Sequence, residues 1–322
     1  MAAFAPLIGQ PRAVELLTQA VTKQRIAPAY LFAGPDGVGR SLAARCFVEF
    51  LFSQHESQSS KKEGVRNRIQ QRNHPDLLWV EPTYLYQGKR LSIAEAIASG
   101  IKRKTPPVIR LEQIREISQF LSRSAMEAPR SIVVLEQAET MAEAAANALL
   151  KTLEEPGQAT LILIANGVES LLPTLVSRCQ RVPFFRLESS ALAHVLESTG
   201  HADILLQAQI LQLAQGSPGA AIAHWQKLQE ISPELLQRVS QPPHSHQEAL
   251  HLARQIDHEI EPESQLWLID FLQACYWQPN LHPYAFQQTI RQLQVLQKAR
   301  EYLLHNVTPR LVWEVTLMQM MG

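Results

Sequence analysis

The sequence predicts a parallel α/β sheet flanked by helices, followed by two all-α domains. Three observations predict this. Short apolar runs at residues 29–33, 77–81, 131–135, 160–166 and 180–184 alternate with segments of helical period through residue 187, the signature of strands joined by crossover helices. After Arg186 no strand-like run recurs. Between the first apolar run and the next helix stands GPDGVGRS, made of Gly34, Pro35, Asp36, Gly37, Val38, Gly39, Arg40 and Ser41. It fits the phosphate-loop pattern G-x-x-x-x-G-K-[ST] at every specified position except Arg40, which replaces the lysine. Such a loop turns consecutive backbone N–H groups toward phosphate oxygens, and the following helix adds its positive end.

Each element follows from its residues. Pro11 suits the first turn of a helix, and Ala13, Leu16, Leu17, Ala20 and Val21 share one face of it. After the loop, Leu42, Ala43, Cys46, Phe47, Phe50 and Leu51 recur at helical spacing to about Phe52. Residues 53–72 are polar and basic without interleaved aromatics to stack bases, and read as a solvated, mobile surface insertion. Residues 82–107 read as loop with one short helical patch, ended by Pro106-Pro107. Leu111, Ile114, Ile117 and Leu121 then mark a helix. The run 131–135 is apolar throughout, as a central strand covered on both faces must be. An Ala/Leu-rich helix over 143–153 stops at Pro156-Gly157. The strand at 180–184 belongs at the sheet edge, where Pro183 is tolerated. Helices are expected to Ser198, over 202–214 and from Pro218 to about Glu230. Residues 241–246 form a linker, and helices follow around 247–259, 262–277, 283–305 and 309–321. Ile290, Leu293, Leu296, Ala299 and Leu303 make one apolar stripe, either core or a face for a partner helix.

Bulk properties narrow the function. Lys+Arg and Asp+Glu both number 30, and a protein gripping DNA alone through its phosphates is usually more basic. Cys46, Cys179 and Cys275 have no metal-ligand spacing and suit free thiols in a reducing compartment. The start lacks a basic region and a long apolar core, and no run reaches the length of a membrane span. A cytoplasmic protein with no membrane partner is expected.

Taken together, Ile8-Gly-Gln10, the loop 34–41, Asn147-Ala-Leu-Leu-Lys-Thr-Leu-Glu-Glu-Pro156 and Ser177-Arg-Cys179 closely resemble the clamp-loader branch of the AAA+ family. Its bacterial members are DNA polymerase III subunits that open and load the sliding clamp. The resemblance covers most of residues 1–230; beyond them only the helical character matches, as the collar that joins such subunits in a ring of five. It implies a P-loop AAA+ domain over 1–187, a helical lid over 188–240 and a C-terminal helical collar over 241–322. The partners it implies are the gamma/tau ATPase subunits and a delta subunit in a hetero-pentamer. The sliding clamp and primer-template DNA are reached through the complex.

The implied ligand of the loop is ATP with magnesium. Phosphoryl transfer to water needs neutralised phosphates, a held metal and an oriented water. Arg40 keeps the charge of the loop lysine, but its planar fork does not sit like a compact ammonium. Ser41 still offers a hydroxyl to magnesium. Where active relatives carry an Asp-Glu pair after the third strand, this chain has Glu136-Gln137. Glu136 can still approach a metal, whereas Gln137 cannot take a proton. Glu139, two residues on, reads as a surface carboxylate. Gly219 stands where active relatives have an arginine that senses the γ-phosphate. These losses argue against hydrolysis by this chain, and leave open whether its loop binds ATP or is empty and closed.

By the same resemblance, Arg178 of Ser177-Arg-Cys179 is an arginine finger reaching the ATP of a neighbouring subunit, a role worth roughly a thousandfold or more in rate. The active relatives carry four zinc-ligating cysteines after the phosphate-loop helix; residues 53–72 have none, so no zinc is expected there. The expected role is a non-motor subunit. Two rivals are an active AAA+ motor ATPase and a stand-alone DNA-binding protein using residues 61–72 and Lys102-Arg103-Lys104.

Overall fold

In this computed structural model the described residues are 2–53, 59–101, 105–155, 157–277 and 283–321, with backbone alone at residues 2, 59–62 and 283–286. The chain divides into two compact units, Met1–Leu192 and Ala193–Gly322.

The first unit is built on a five-stranded parallel sheet. All five expected strands form: β1 (Ala29–Ala33), β2 (Leu77–Val80), β5 (Ile132–Leu135), β6 (Thr160–Ala165) and β7 (Gln180–Pro183), in the spatial order β2-β5-β6-β1-β7. β1, β5 and β6 are buried along their whole length, which is why they read as unbroken apolar runs. β7 lies at the edge, so the missing N–H of Pro183 removes no ladder bond from the interior. The register pairs Ala33 with Ala165 and Leu135 with Leu163. That brings the carboxyl ends of β1, β5 and β6 side by side, so the residues that follow them share one edge.

Helices cover the sheet: α1 (Pro11–Thr22), α2 (Arg40–Ser53), α5 (Leu111–Leu121), α6 (Glu143–Glu154) and the short α7 (Pro173–Val176). The expected faces are used, except that Leu42 at the start of α2 is exposed while Ala43, Cys46, Phe47 and Leu51 are buried. Ala13, Leu17 and Val21 of α1 are buried, as are Ile114 and Ile117 of α5 and Leu149 and Leu153 of α6.

Two local expectations are corrected. Within the stretch expected to be a mobile insertion, Ser59–Gln70 forms a helix, α3, whose Val65 and Ile69 are buried. Two apolar residues four apart in a polar helix suffice to dock it on α2. The expected loop over 82–107 contains a hairpin, β3 (Tyr84–Tyr86) with β4 (Lys89–Leu91), and α4 (Ile93–Ala98), closed by a capping box between Ser92 and Glu95. Lys102, Arg103, Lys104 and the side chains of Lys61 and Lys62, proposed above for nucleic-acid contact, lie outside the described residues.

The second unit is helical. It comprises α9 (Ala208–Ala214), α10 (Pro218–Gln229), α11 (Pro233–Val239), α12 (His246–Glu259), α13 (Pro262–Tyr276), α14 (Pro283–Leu304) and α15 (Pro309–Met320), and α8 (Ser189–Ser198) leads into it. The helix expected over 202–214 is broken at Gln207 into a 3₁₀ turn and α9. Of the stripe on α14, Leu296 and Ala299 are core while Ile290 is exposed. The core centres on buried Trp313, whose indole N–H donates to Gln265 Oε1 at 2.7 Å. Among the described residues no helix is long and apolar enough to cross a membrane.

Candidate functional site

The loop 34–41 leaves β1 at the carboxyl edge of the sheet, where open α/β folds bind ligands. Its start is fixed by packing. A Cβ on Gly34 would lie 2.3 Å from the backbone oxygen of Phe184, just beyond β7. The chain can pass there only as glycine. Gly39 adopts φ +102°, a conformation open to few other residues. Buried Gln10, from the Ile8-Gly-Gln10 triplet, ties the loop to the strand edge. Its Nε2 donates to Val38 O (3.2 Å) and Phe185 O (2.7 Å), and its Oε1 accepts from the N–H of Phe185 (3.1 Å).

Arg40 opens α2 and is 6% exposed. Its Nη2 donates to Asp36 Oδ1 and, at 3.0 Å, to Asn166 Oδ1. Its Nη1 is buried and lacks a hydrogen-bond partner among the described residues. The guanidinium is thus neutralised by a carboxylate of its own loop and steered by an amide at the end of β6. Ser41 Oγ donates to Glu136 Oε2 at 2.8 Å, and the other oxygen, Oε1, accepts from Trp79 Nε1 at 3.2 Å. Both oxygens of Glu136 therefore have donors within the chain. The guanidinium carbons of Arg45 and Arg72 lie 5.6 and 5.1 Å from the centre of the Trp79 ring, holding the indole in place.

Gln137 adopts φ 48° and ψ 52°, a left-handed turn that ends β5 abruptly. This corrects the expectation for Glu139. The turn swings Glu139 inward, and its Oε2 is buried with no hydrogen-bond partner among the described residues. Burial raises its carboxyl above the usual range, against the opposing pull of its own backbone N–H and of the Arg40 guanidinium. Glu139 is not a surface carboxylate; it belongs to the group around Arg40.

Arg178 lies after α7. Its Nη2 donates to Glu154 Oε1 at 2.7 Å and its Nη1 to Thr174 O at 2.9 Å. Two separately quoted motifs, the one ending at Pro156 and Ser177-Arg-Cys179, are thus joined by an ion pair. Both partners are largely open to solvent, with side chains 37% and 53% exposed. Gly219 lies in the second unit, on the exposed side of α10.

The sheet therefore gathers Gly34, Arg40, Ser41, Glu136 and Glu139, while Arg178 stands apart on the surface. Sequence reading missed Asn166 and Trp79. Each is a polar-tipped residue at or near a strand's carboxyl end, and that position is the signal that could have found them.

Comparison with known proteins gives a consistent picture. The family described as DNA polymerase III, delta subunit, matches residues 9–188, and the cyanobacterial DNA polymerase III delta prime C-terminal domain matches residues 190–320. The chain is 34% identical over 186 residues to the DNA polymerase III subunit delta' of Bacillus subtilis, covering 57% of this chain and 50% of that one. It is 24% identical over 221 residues to the tau subunit of the same organism, covering 66% of this chain and 33% of that one. The chain thus spans about half or less of the length of these relatives. A crystal structure of a DNA polymerase III gamma-subunit-related protein of Thermotoga maritima superposes with a TM-score of 0.56 at 17% identity, covering 96% of this chain and 98% of that one. That likeness establishes the shared fold.

Proposed function

Because the chain belongs to the DNA polymerase III delta-prime family, we propose that it is the non-motor subunit of a replicative clamp loader. In this role it holds one position of the ring and lends Arg178 to the nucleotide site of a neighbouring ATPase subunit. The partners are gamma/tau-type ATPase subunits and a delta-type subunit in a hetero-pentamer, acting on a sliding clamp and primer-template DNA in the cytoplasm. One contrast carries the reading. The cation of the chain's own loop is buried and internally paired, while Arg178 is solvent-exposed on a weak surface pair. A guanidinium of the second kind can be redirected at little cost.

The same donor set supports an idle loop. ATP with magnesium requires a free cation beside the phosphates and a base for the attacking water. Arg40 is already engaged by Asp36 and Asn166, Ser41 by Glu136, and Gln137 is no base. The glycine backbone of a phosphate cradle remains, but the side chains do not suit the ligand.

The test is a complex reconstituted with Arg178→Ala in this chain. ATP turnover by the neighbouring motor is expected to fall by roughly a thousandfold at its dependent site, with assembly unchanged by size-exclusion chromatography. Wild-type turnover in an intact complex would refute the proposal.

Glu139 favours one second reading, in which its buried carboxyl serves as the base that Gln137 cannot be. It requires steady ATP turnover by the isolated chain that Glu139→Gln abolishes.

A further inference from the structure

We propose that the chain carries a phosphate-binding pocket at the end of the sheet opposite the phosphate loop. The pocket, about 430 Å³, lies at the amino-terminal ends of β5 and β6 and is lined largely by the loop 121–131 together with Gln158 and Ala159. Ser122, Arg123, Ser124, Arg130, Ser131 and Gln158 supply its polar groups, and no acidic side chain among the described residues lines it. Donors without acceptors of negative charge, two of them guanidinium groups, describe a site for a multiply charged oxyanion.

Three features make it a built site rather than a basic surface. First, its loop is held rigid from below. The buried carboxylate of Asp76 accepts from the backbone N–H groups of Met126, Glu127 and Ala128 at 2.7, 2.8 and 2.7 Å. Second, the Arg130 guanidinium is oriented by the fully buried Thr160, whose Oγ1 accepts from Nη1 at 3.0 Å. Third, both Arg123 and Arg130 line the cavity and neither has a carboxylate partner among the described residues. Two unpaired guanidinium groups facing one cavity repel each other, and an anion between them relieves that repulsion. Leu121, Ala125 and Ala159 give the cavity an apolar lining beside the donors. The ligand class is a phosphate group, free or as part of a nucleic-acid backbone.

The pocket is independent of the proposed role of Arg178 and is tested on the full chain alone. Amide resonances of isotopically labelled protein are followed while inorganic phosphate is added, and separately a short single-stranded oligonucleotide. Saturable shifts are expected at Ser124, Ala125, Arg130 and Ser131. Arg123→Gln, at an exposed side chain with no hydrogen bond or ion pair to another side chain among the described residues, is expected to weaken binding about tenfold. If the oligonucleotide moves the same amides, the phosphate is that of a nucleic-acid strand; if inorganic phosphate alone does, it is a free anion. Absence of saturable shifts, shifts confined to residues 34–41, or an Arg123→Gln variant that binds like wild type would overturn the proposal.

Discussion

Asp76→Asn tests how the first unit is held together and where its acid sensitivity lies. Asp76 is 2% exposed and receives three backbone N–H groups at 2.7–2.8 Å, while its own carbonyl accepts from the N–H of Ile132 at the start of β5. Burial on its own would raise this carboxyl, but the N–H bonds from Met126, Ala128 and Glu127 outweigh it and hold it below the usual range. Hydrogen bonds to a charged group contribute about 1.5–3 kcal/mol each. Asparagine keeps one acceptor oxygen but loses the charge and turns an NH2 group toward donors. A loss of about 3 kcal/mol follows, less than the sum of three bonds because one or two survive in weaker form. For a unit of this size that lowers Tm by about 6–12 °C.

The pH dependence has a defined sign. The folded value is depressed, so the stabilisation is complete above the ordinary aspartate value of about 3.9 and fades as pH falls below it toward the folded value. Thermal melts by circular dichroism at neutral pH and near pH 3 should therefore show a wide gap between wild type and variant that narrows in acid. A variant melting within about 2 °C of wild type, a shift of at most about 1 kcal/mol for a unit of this size, or a gap equally wide at both pH values, would refute the reasoning.

Other outcomes follow from the site. Gly34→Ala should cost about 3 kcal/mol or prevent folding, because its Cβ meets the Phe184 carbonyl at 2.3 Å and backbone cannot yield as a side chain would; chemical denaturation reads this directly. Glu139→Gln should stabilise the chain at neutral pH and make no difference near pH 4. A carboxyl whose folded value is raised by burial contributes stability below its unfolded value that is lost as pH rises through the folded one. Equal effects of this substitution at both pH values would show that Glu139 is not the titrating group.

What could be read in the sequence was local. Each strand of the parallel sheet is a run of buried residues, and each helix against it repeats its apolar face every turn, so period alone identified them. The phosphate loop was legible because its glycines serve backbone geometry. What was hidden depended on register or on a single dihedral angle. Asn166 meets Arg40 across 126 residues only because β1 and β6 pair with Ala33 beside Ala165. Glu139 reads as a surface residue because nothing in the sequence fixes where a residue after the strand points, and the left-handed turn at Gln137 brings it inward. α3 escaped because its buried face consists of Val65 and Ile69 amid polar residues, too few for periodicity to register.

The change of loop lysine to arginine has a structural consequence beyond charge. A guanidinium presents several donors in a fixed fork and keeps its charge, so fixed partners can hold one side of it: Nη2 of Arg40 is engaged by Asp36 and Asn166, while Nη1 has no partner among the described residues. Asp36 stands four residues before Arg40, and the turn of the phosphate loop ahead of α2 brings the two together, while Asn166 arrives from the end of the adjacent strand. A cation used in this way anchors the loop to β6 and stands neutralised where a phosphate would need it. Gly34 and Gln10 meanwhile fix the loop through contacts with Phe184, Phe185 and Val38 that involve no ligand. The shape of a phosphate loop can therefore be retained for packing alone. This accounts physically for a chain that keeps the fold of a nucleotide site while, on the reading proposed above, the working cation is the exposed Arg178.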